Sequence, residues 1–293
     1  STMVGLRSAD DEGRRPGSRR PGGGPGPRPG WCCAYGIVSF RRMEISLEGK
    51  VALVTGASRG IGKAIAGAFA GSGAAVMLSS RKQDALEAAA ADIGTGGGET
   101  AVFAANAGEP DQIAACVAAA VERFGRIDIL VNNAATNPYF GRAIDIDLGR
   151  YDKTWEVNLR GPLVWSQEAW KAWMQDNGGA IVNIASIGGM SVEPGIGIYN
   201  TTKFAVRGLT ESLRYNLAPH GIGCSLCCPA LTRTNAWTSA LKRPESFGES
   251  GFPEVPKESL EQFRTAFEEG MDPYEVGSKI VAGMTAQKDL ILT

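Results

Sequence analysis

Thr55-Gly56-Ala57-Ser58-Arg59-Gly60-Ile61-Gly62 is the stretch whose reading decides the fold. An apolar run, Val51–Thr55, leads into it, and Gly60–Ala70, with helical composition, leads out. Three glycines between a strand and a helix allow a tight turn. Without Cβ atoms they let a pyrophosphate approach the helix N-terminus, where free N–H groups and the dipole favour an anion. The same glycines alone fit an ordinary turn and cap. Their place after a first strand and before a helix is the context a dinucleotide loop requires. The spacing is G-x-x-x-G-x-G rather than the commoner G-x-G-x-x-G.

Downstream, strands and helices alternate. Strands are expected at Ala74–Ser80, Ala101–Ala105, Asp128–Asn132, Ala180–Ser186, Ile222–Cys228 and Asp289–Leu292. Helices are expected at Asp84–Asp92 (with Asp84 as cap), Asp111–Phe124, Tyr151–Asp176, Tyr199–Ala218 and Asp272–Ala286. Such alternation implies right-handed crossovers. The expected fold is therefore α/β: a single-domain, Rossmann-like, doubly wound parallel sheet with helices on both faces. Ligands of such sheets sit at the carboxyl ends of strands, near the switch point. Residues 231–272 are longer than a simple connection, with one helical patch near 257–269, and read as a lid.

A dinucleotide fold often places an acid at the end of strand two to bind the 2′-hydroxyl of NAD. Here the chain reads Leu78-Ser79-Ser80-Arg81-Lys82. With Arg59, the basic pair Arg81 and Lys82 offers three cations to a 2′-phosphate, which favours NADP(H) over NAD(H). The alternative is that Arg81 and Lys82 are solvated loop charges.

Tyr199-x-x-x-Lys203 puts a phenol and an ammonium on one helix face. The ammonium is expected to lower the phenol's pKa, suiting it to give a proton to a carbonyl. Ser186, at the end of strand five, lies thirteen residues earlier and can reach the same crevice.

Together with NNAA at 132–135, Asn158 in WEVNLRG and PALTRT at 229–234, these motifs resemble the short-chain dehydrogenase/reductase family. The resemblance covers about five-sixths of the chain, from about Leu47 onward. It is similar to the single-domain branch that includes β-ketoacyl carrier-protein reductases and ketone reductases. The resemblance implies that Tyr199 is the general acid in reduction and the base in oxidation. It also implies that Lys203 lowers the Tyr199 pKa and binds the nicotinamide ribose, and that Ser186 polarises the carbonyl. Asn158 would bend its helix and hold a water leading to Lys203. Gly56, Ser58, Arg59, Gly60, Ile61 and Gly62 match the phosphate loop, with Ser80, Arg81 and Lys82 beside it. Asn106 and Ala107 match the adenine contact, with Asn106 replacing the usual Asp. Asn133 and Ala134 match the turn packed on the cofactor, and Pro229, Thr232 and Thr234 the segment holding the carboxamide. Ala135 and Ala230 stand where the family usually has glycine.

The chain has 293 residues and a formal net charge of −1. That balance argues against a nucleic-acid-binding body. It is uneven: residues 1–42 carry eight Arg against three acids, nine Gly and five Pro. This basic extension is expected to be disordered, with residues 43–293 as the domain. His220 is the single histidine, which leaves no multi-histidine metal site and no Ser-His-Asp centre elsewhere. Cys224-Ser-Leu-Cys227 fits a redox or metal pair in form, but sits in an apolar run better read as a buried strand. No metal is expected. No stretch approaches the ~20 apolar residues of a membrane span, and reduced thiols point to the cytoplasm. Tyr139, Phe140, Val192 and Trp237 line an apolar pocket or belong to core and interface. Trp165, Trp170 and Trp173 lie on a helix that the resemblance links to homodimers or homotetramers. The expected activity is NADP-dependent interconversion of a small-molecule carbonyl compound and its alcohol. A non-catalytic dinucleotide sensor or scaffold and a sugar-nucleotide epimerase are the alternatives.

Overall fold

The computed structural model describes residues 45–96, 98–235 and 257–293. The basic extension, Trp237 and the 236–256 portion of the expected lid lie outside the described residues.

In chain order the elements are β1 (Val51–Thr55), α1 (Gly60–Gly71), β2 (Ala75–Ser80), α2 (Gln83–Gly94), β3 (Thr100–Ala104), α3 (Pro110–Phe124) and β4 (Ile129–Asn132). There follow α4 (Leu148–Trp155), α5 (Gly161–Ala169), α6 (Gln175–Asn177), β5 (Gly179–Ile184), α7 (Gly197–Leu217), β6 (Ile222–Cys228), α8 (Lys257–Glu268), α9 (Pro273–Thr285) and β7 (Leu290–Leu292). The strands form one parallel sheet in the order β3-β2-β1-β4-β5-β6-β7. Succession runs outward from β1 to β3, then restarts at β4 on the other side of β1. That reversal opens a crevice at the strand ends between β1 and β4.

Both faces of the sheet are covered, so its strands are apolar throughout rather than alternating. In β1 and β2, Ala52, Val54, Val76 and Leu78 face a core closed by Ile65, Phe69, Leu86 and Ile280. Leu53 and Met77 point the other way, onto Ile113, Leu130, Trp165 and Ile181. Burial on both sides is the main stabilising term of such a layered fold. Cys224 and Cys227 fall on opposite faces of β6, each in a different core. Three residues apart on a strand, their side chains diverge.

Two local expectations are corrected. First, the helix read as Tyr151–Asp176 is interrupted by π turns at Glu156–Arg160 and Trp170–Met174. Pro162 explains the first, since it has no N–H to donate to the Asn158 carbonyl four residues earlier. Second, Asp84 does not cap α2. Lys82 occupies the cap position and Asp84 lies in the first turn, where its charge still faces the helix dipole. Of the tryptophans on this helix, Trp165 belongs to the core at 1% exposure, while half-buried Trp170 meets the His220 ring edge-on at 4.4 Å and Trp173 lies beneath Arg126.

Candidate active site

The glycine loop leaves β1 at the crevice. Gly56 (φ +67°) and Gly60 (φ +56°) adopt the left-handed conformation that disfavours side chains. A Cβ on Gly62 would stand 2.3 Å from the Gly56 carbonyl oxygen, so α1 passes against the loop with no room for a methyl. Arg59 occupies the N-cap of α1 without a side-chain cap, and the first turn holds no acid. The helix terminus is thus open to an anion. Ser58 is half-buried and Arg59 exposed.

The shape of the loop is held from β4. Asn133 Nδ2 donates to the Thr55 carbonyl at 2.8 Å, and Asn133 N and Ala134 N both donate to Thr55 Oγ1, at 2.9 and 3.0 Å. Thr55 Oγ1 donates onward to the Val131 carbonyl. Asn133 and Ala134 therefore brace the loop. Thr55 is part of that brace, a role sequence reading missed because its side-chain partners lie nearly eighty residues away.

β2 runs alongside in register, Thr55 opposite Ser79, and Ala57 N donates to the Ser79 carbonyl at 3.0 Å. Half-buried Ser80 and exposed Arg81 and Lys82 come next, at the strand end adjoining the loop. Arg59, Arg81 and Lys82 enter none of the ion pairs among the described residues. At the end of β3, Asn106 Oδ1 accepts from Gly108 N at 3.2 Å, and Asn106 N donates to Gln112 Oε1 at 2.8 Å. The Ala107 carbonyl lies so close to Gly161 that a Cβ there would stand 2.4 Å from it. Open helix terminus, tight glycine loop and free cations at the neighbouring strand end fit the phosphates of a dinucleotide.

Across the crevice, α7 presents Tyr199 and Lys203. Lys203 is buried, donates to the Ile184 carbonyl at 2.8 Å, and lies 5.6 Å from the centre of the Tyr199 ring. Ser186 sits two residues beyond β5 and accepts from Gly188 N at 3.1 Å. Burial pushes the Tyr199 hydroxyl up to about 12, opposed by the Ser186 side chain and reinforced by the Glu193 carboxylate. Burial pulls Lys203 down to about 8. Where the sequence reading expects the Tyr199 hydroxyl to be lowered, in the protein alone it stands raised, with desolvation as the first cause.

Asn158 lies in the first π turn, 1% exposed. Its Oδ1 accepts from Thr136 N at 2.8 Å, and its Nδ2 donates to the Thr136 carbonyl at 2.9 Å and to Thr202 Oγ1 at 3.1 Å. Asn200, beside Tyr199, donates from Nδ2 to the Glu193 carbonyl at 3.1 Å and so ties the loop after Ser186 to α7.

The segment after β6 closes the third side. The Pro229 carbonyl accepts from Ile187 N at 2.9 Å, fixing it beside the Ser186 loop. Buried Thr232 bridges to Met271, and the Thr234 methyl would lie 3.4 Å from a Cβ on Gly60, over the glycine loop. Ala135 and Ala230 are exposed, so neither added methyl collides with the described protein. Of the expected pocket residues, Tyr139 is buried with its hydroxyl on the Arg142 carbonyl, Phe140 is half-buried, and Val192 is 71% exposed.

The family model described as "short chain dehydrogenase" matches residues 50–245. The human "Dehydrogenase/reductase SDR family member 4" is 38% identical over 189 residues, 64% of this chain and 68% of the relative. Among solved structures, a short chain dehydrogenase/reductase from Burkholderia phymatum in complex with NAD superposes with a TM-score of 0.77 at 29% identity, covering 84% of this chain and 89% of that one. L-sorbose reductase from Gluconobacter frateurii, complexed with NADPH and L-sorbose, gives 0.74 at 25% identity, covering 86% and 97%. No helix among the described residues is long and apolar enough to cross a membrane.

Proposed function

Because the chain belongs to the short chain dehydrogenase family, whose members are dinucleotide-dependent oxidoreductases of CH–OH and C=O groups, we propose that it is an NADP-dependent carbonyl reductase, or alcohol dehydrogenase in reverse, with Tyr199 as general acid and base. The observation that carries this reading is the cluster of Ser186, Tyr199 and Lys203 at the β5 end of the crevice. When bound, the reduced nicotinamide supplies the hydride. Tyr199 gives the carbonyl oxygen its proton, so that ketone becomes alcohol. Ser186 donates a hydrogen bond to that same oxygen and holds it at the phenol. Lys203, fixed by Ile184, binds the ribose hydroxyls and stabilises the phenolate left behind. Asn158 supports α7 behind them.

Charge supports the preference for NADP. Exposed Arg59, Arg81 and Lys82 adjoin the open end of α1, and Ser79-Ser80 offer no acid for a 2′-hydroxyl. The same reading takes residues 43–293 as one catalytic domain whose 231–272 segment covers the substrate. It also takes the protein as a cytoplasmic homodimer or homotetramer that acts on small molecules rather than nucleic acid or membrane. A scaffold that only binds dinucleotide has no use for a proton donor, an ammonium and a serine meeting at one strand end. An epimerase returns hydride to its own product. NADPH deuterated at C4 separates these readings against a panel of ketones and nucleotide sugars. Deuterium on the carbinol carbon of the alcohol formed from a ketone is expected. Cofactor binding without turnover of any carbonyl compound or alcohol favours the scaffold.

A further inference from the structure

Three residues separate Tyr199 from Lys203. Thr201 is exposed and its hydroxyl turns back to Gly197. Thr202 is wholly buried. Its hydroxyl donates to the Tyr199 carbonyl at 2.7 Å and accepts from Asn158 Nδ2 at 3.1 Å. The direction of each bond follows from the chemistry of the partners. Thr136 N can only donate, so the Asn158 atom facing it is Oδ1. Nδ2 then supplies one hydrogen to the Thr136 carbonyl and one to Thr202. The single Thr202 proton is left for Tyr199. Every donor in this buried chain has one acceptor.

The chain joins three segments. Thr136 follows the Asn133-Ala134 turn that braces the glycine loop. Asn158 belongs to the π turn, and Thr202 to α7. A β-branched residue is a mediocre helix former, and valine would fill the same space. What valine lacks is the hydroxyl, without which one Asn158 amide hydrogen is buried without an acceptor.

We propose that Thr202 is a positioning residue: its hydroxyl fixes the rotation and depth of α7 against the Asn158 turn, and so places Tyr199 and Lys203 relative to the segment that shapes the cofactor loop. This rests on the assignment of Tyr199 as proton donor.

The test compares full-length wild type, Y199F, T202V and T202S on a ketone that the wild type reduces. T202V is expected to lose about tenfold in kcat through misplacement of the phenol, and to shift the pH dependence of kcat. T202S is expected to recover kcat to within about twofold, because the hydroxyl returns. If Y199F turns over normally, the proton-donor assignment itself fails. If Y199F is inactive while T202V keeps wild-type kcat and pH profile, the positioning role is overturned, whatever happens to the melting temperature. Should T202V not fold, T202C, with its weak S–H donor, stands in with the same two outcomes.

Discussion

Lys203 reaches from α7 to the carbonyl oxygen of Ile184, the last residue of β5, at 2.8 Å. This bond ties the amine to the sheet rather than to its own helix. It sets the ammonium at the strand end from which the Ser186 segment departs, and leaves the Tyr199 ring above it. A long side chain that would otherwise sample many rotamers is thereby held in one.

Burial of that amine should show in stability. Lys203 is lowered from 10.5 to about 8, so between those pH values the unfolded chain holds a proton that the native protein has released. Native stability therefore gains as pH rises through this window. K203M removes the effect. The difference in unfolding free energy between wild type and K203M should move in favour of wild type from about pH 8 upward, approaching roughly 3 kcal/mol at full titration. Denaturant titrations below about pH 10 keep Tyr199 out of the comparison, because its hydroxyl is raised from 10.0 to about 12. A difference that stays flat with pH contradicts a desolvated ammonium.

Glycine positions in α1 should separate sharply. G62A drives a methyl into the Gly56 carbonyl, whereas G71A meets nothing within 4 Å at the end of the same helix. G62A is expected to destabilise by about 1–3 kcal/mol and to weaken dinucleotide binding. G71A should be neutral or gain up to about 1 kcal/mol. Thermal unfolding with and without NADPH checks both, and equal behaviour of the two variants contradicts the close loop–helix contact.

Cofactor choice should respond to the strand-two end. In R81A/K82A, affinity for NADPH is expected to fall about ten- to a hundredfold while affinity for NADH changes little, since only the 2′-phosphate needs those cations. Binding of NADPH to the wild type should also weaken as salt rises. Equal losses for both cofactors would place the two side chains elsewhere in the binding mode.

Much of the sheet was legible because parallel strands buried on both faces read as short apolar runs, and Val51–Thr55 with its glycine loop is such a case. Most strand and helix limits fell within two residues of those expected. Local pattern could not show which distant group a side chain would meet. Asn158 was singled out, but its partners Thr136 and Thr202 come from other elements. Asn133 reads as part of a turn packed on the cofactor, but its bond to the Thr55 carbonyl joins two strands that no local pattern connects. The π turns were hidden because one extra residue in a helical turn barely changes an apolar stripe, although Pro162 was a signal for the first. Trp165 reads only as part of a helix linked to oligomers, and its place in the core depends on neighbours from other elements.

The most direct measurement is turnover and cofactor binding by Y199F beside the wild type. The phenylalanine keeps the ring above Lys203 and removes only the hydroxyl. NADPH should bind both proteins alike, while kcat for carbonyl reduction falls at least about a hundredfold in Y199F. Wild-type turnover by Y199F, with binding intact, would contradict Tyr199 as the proton donor.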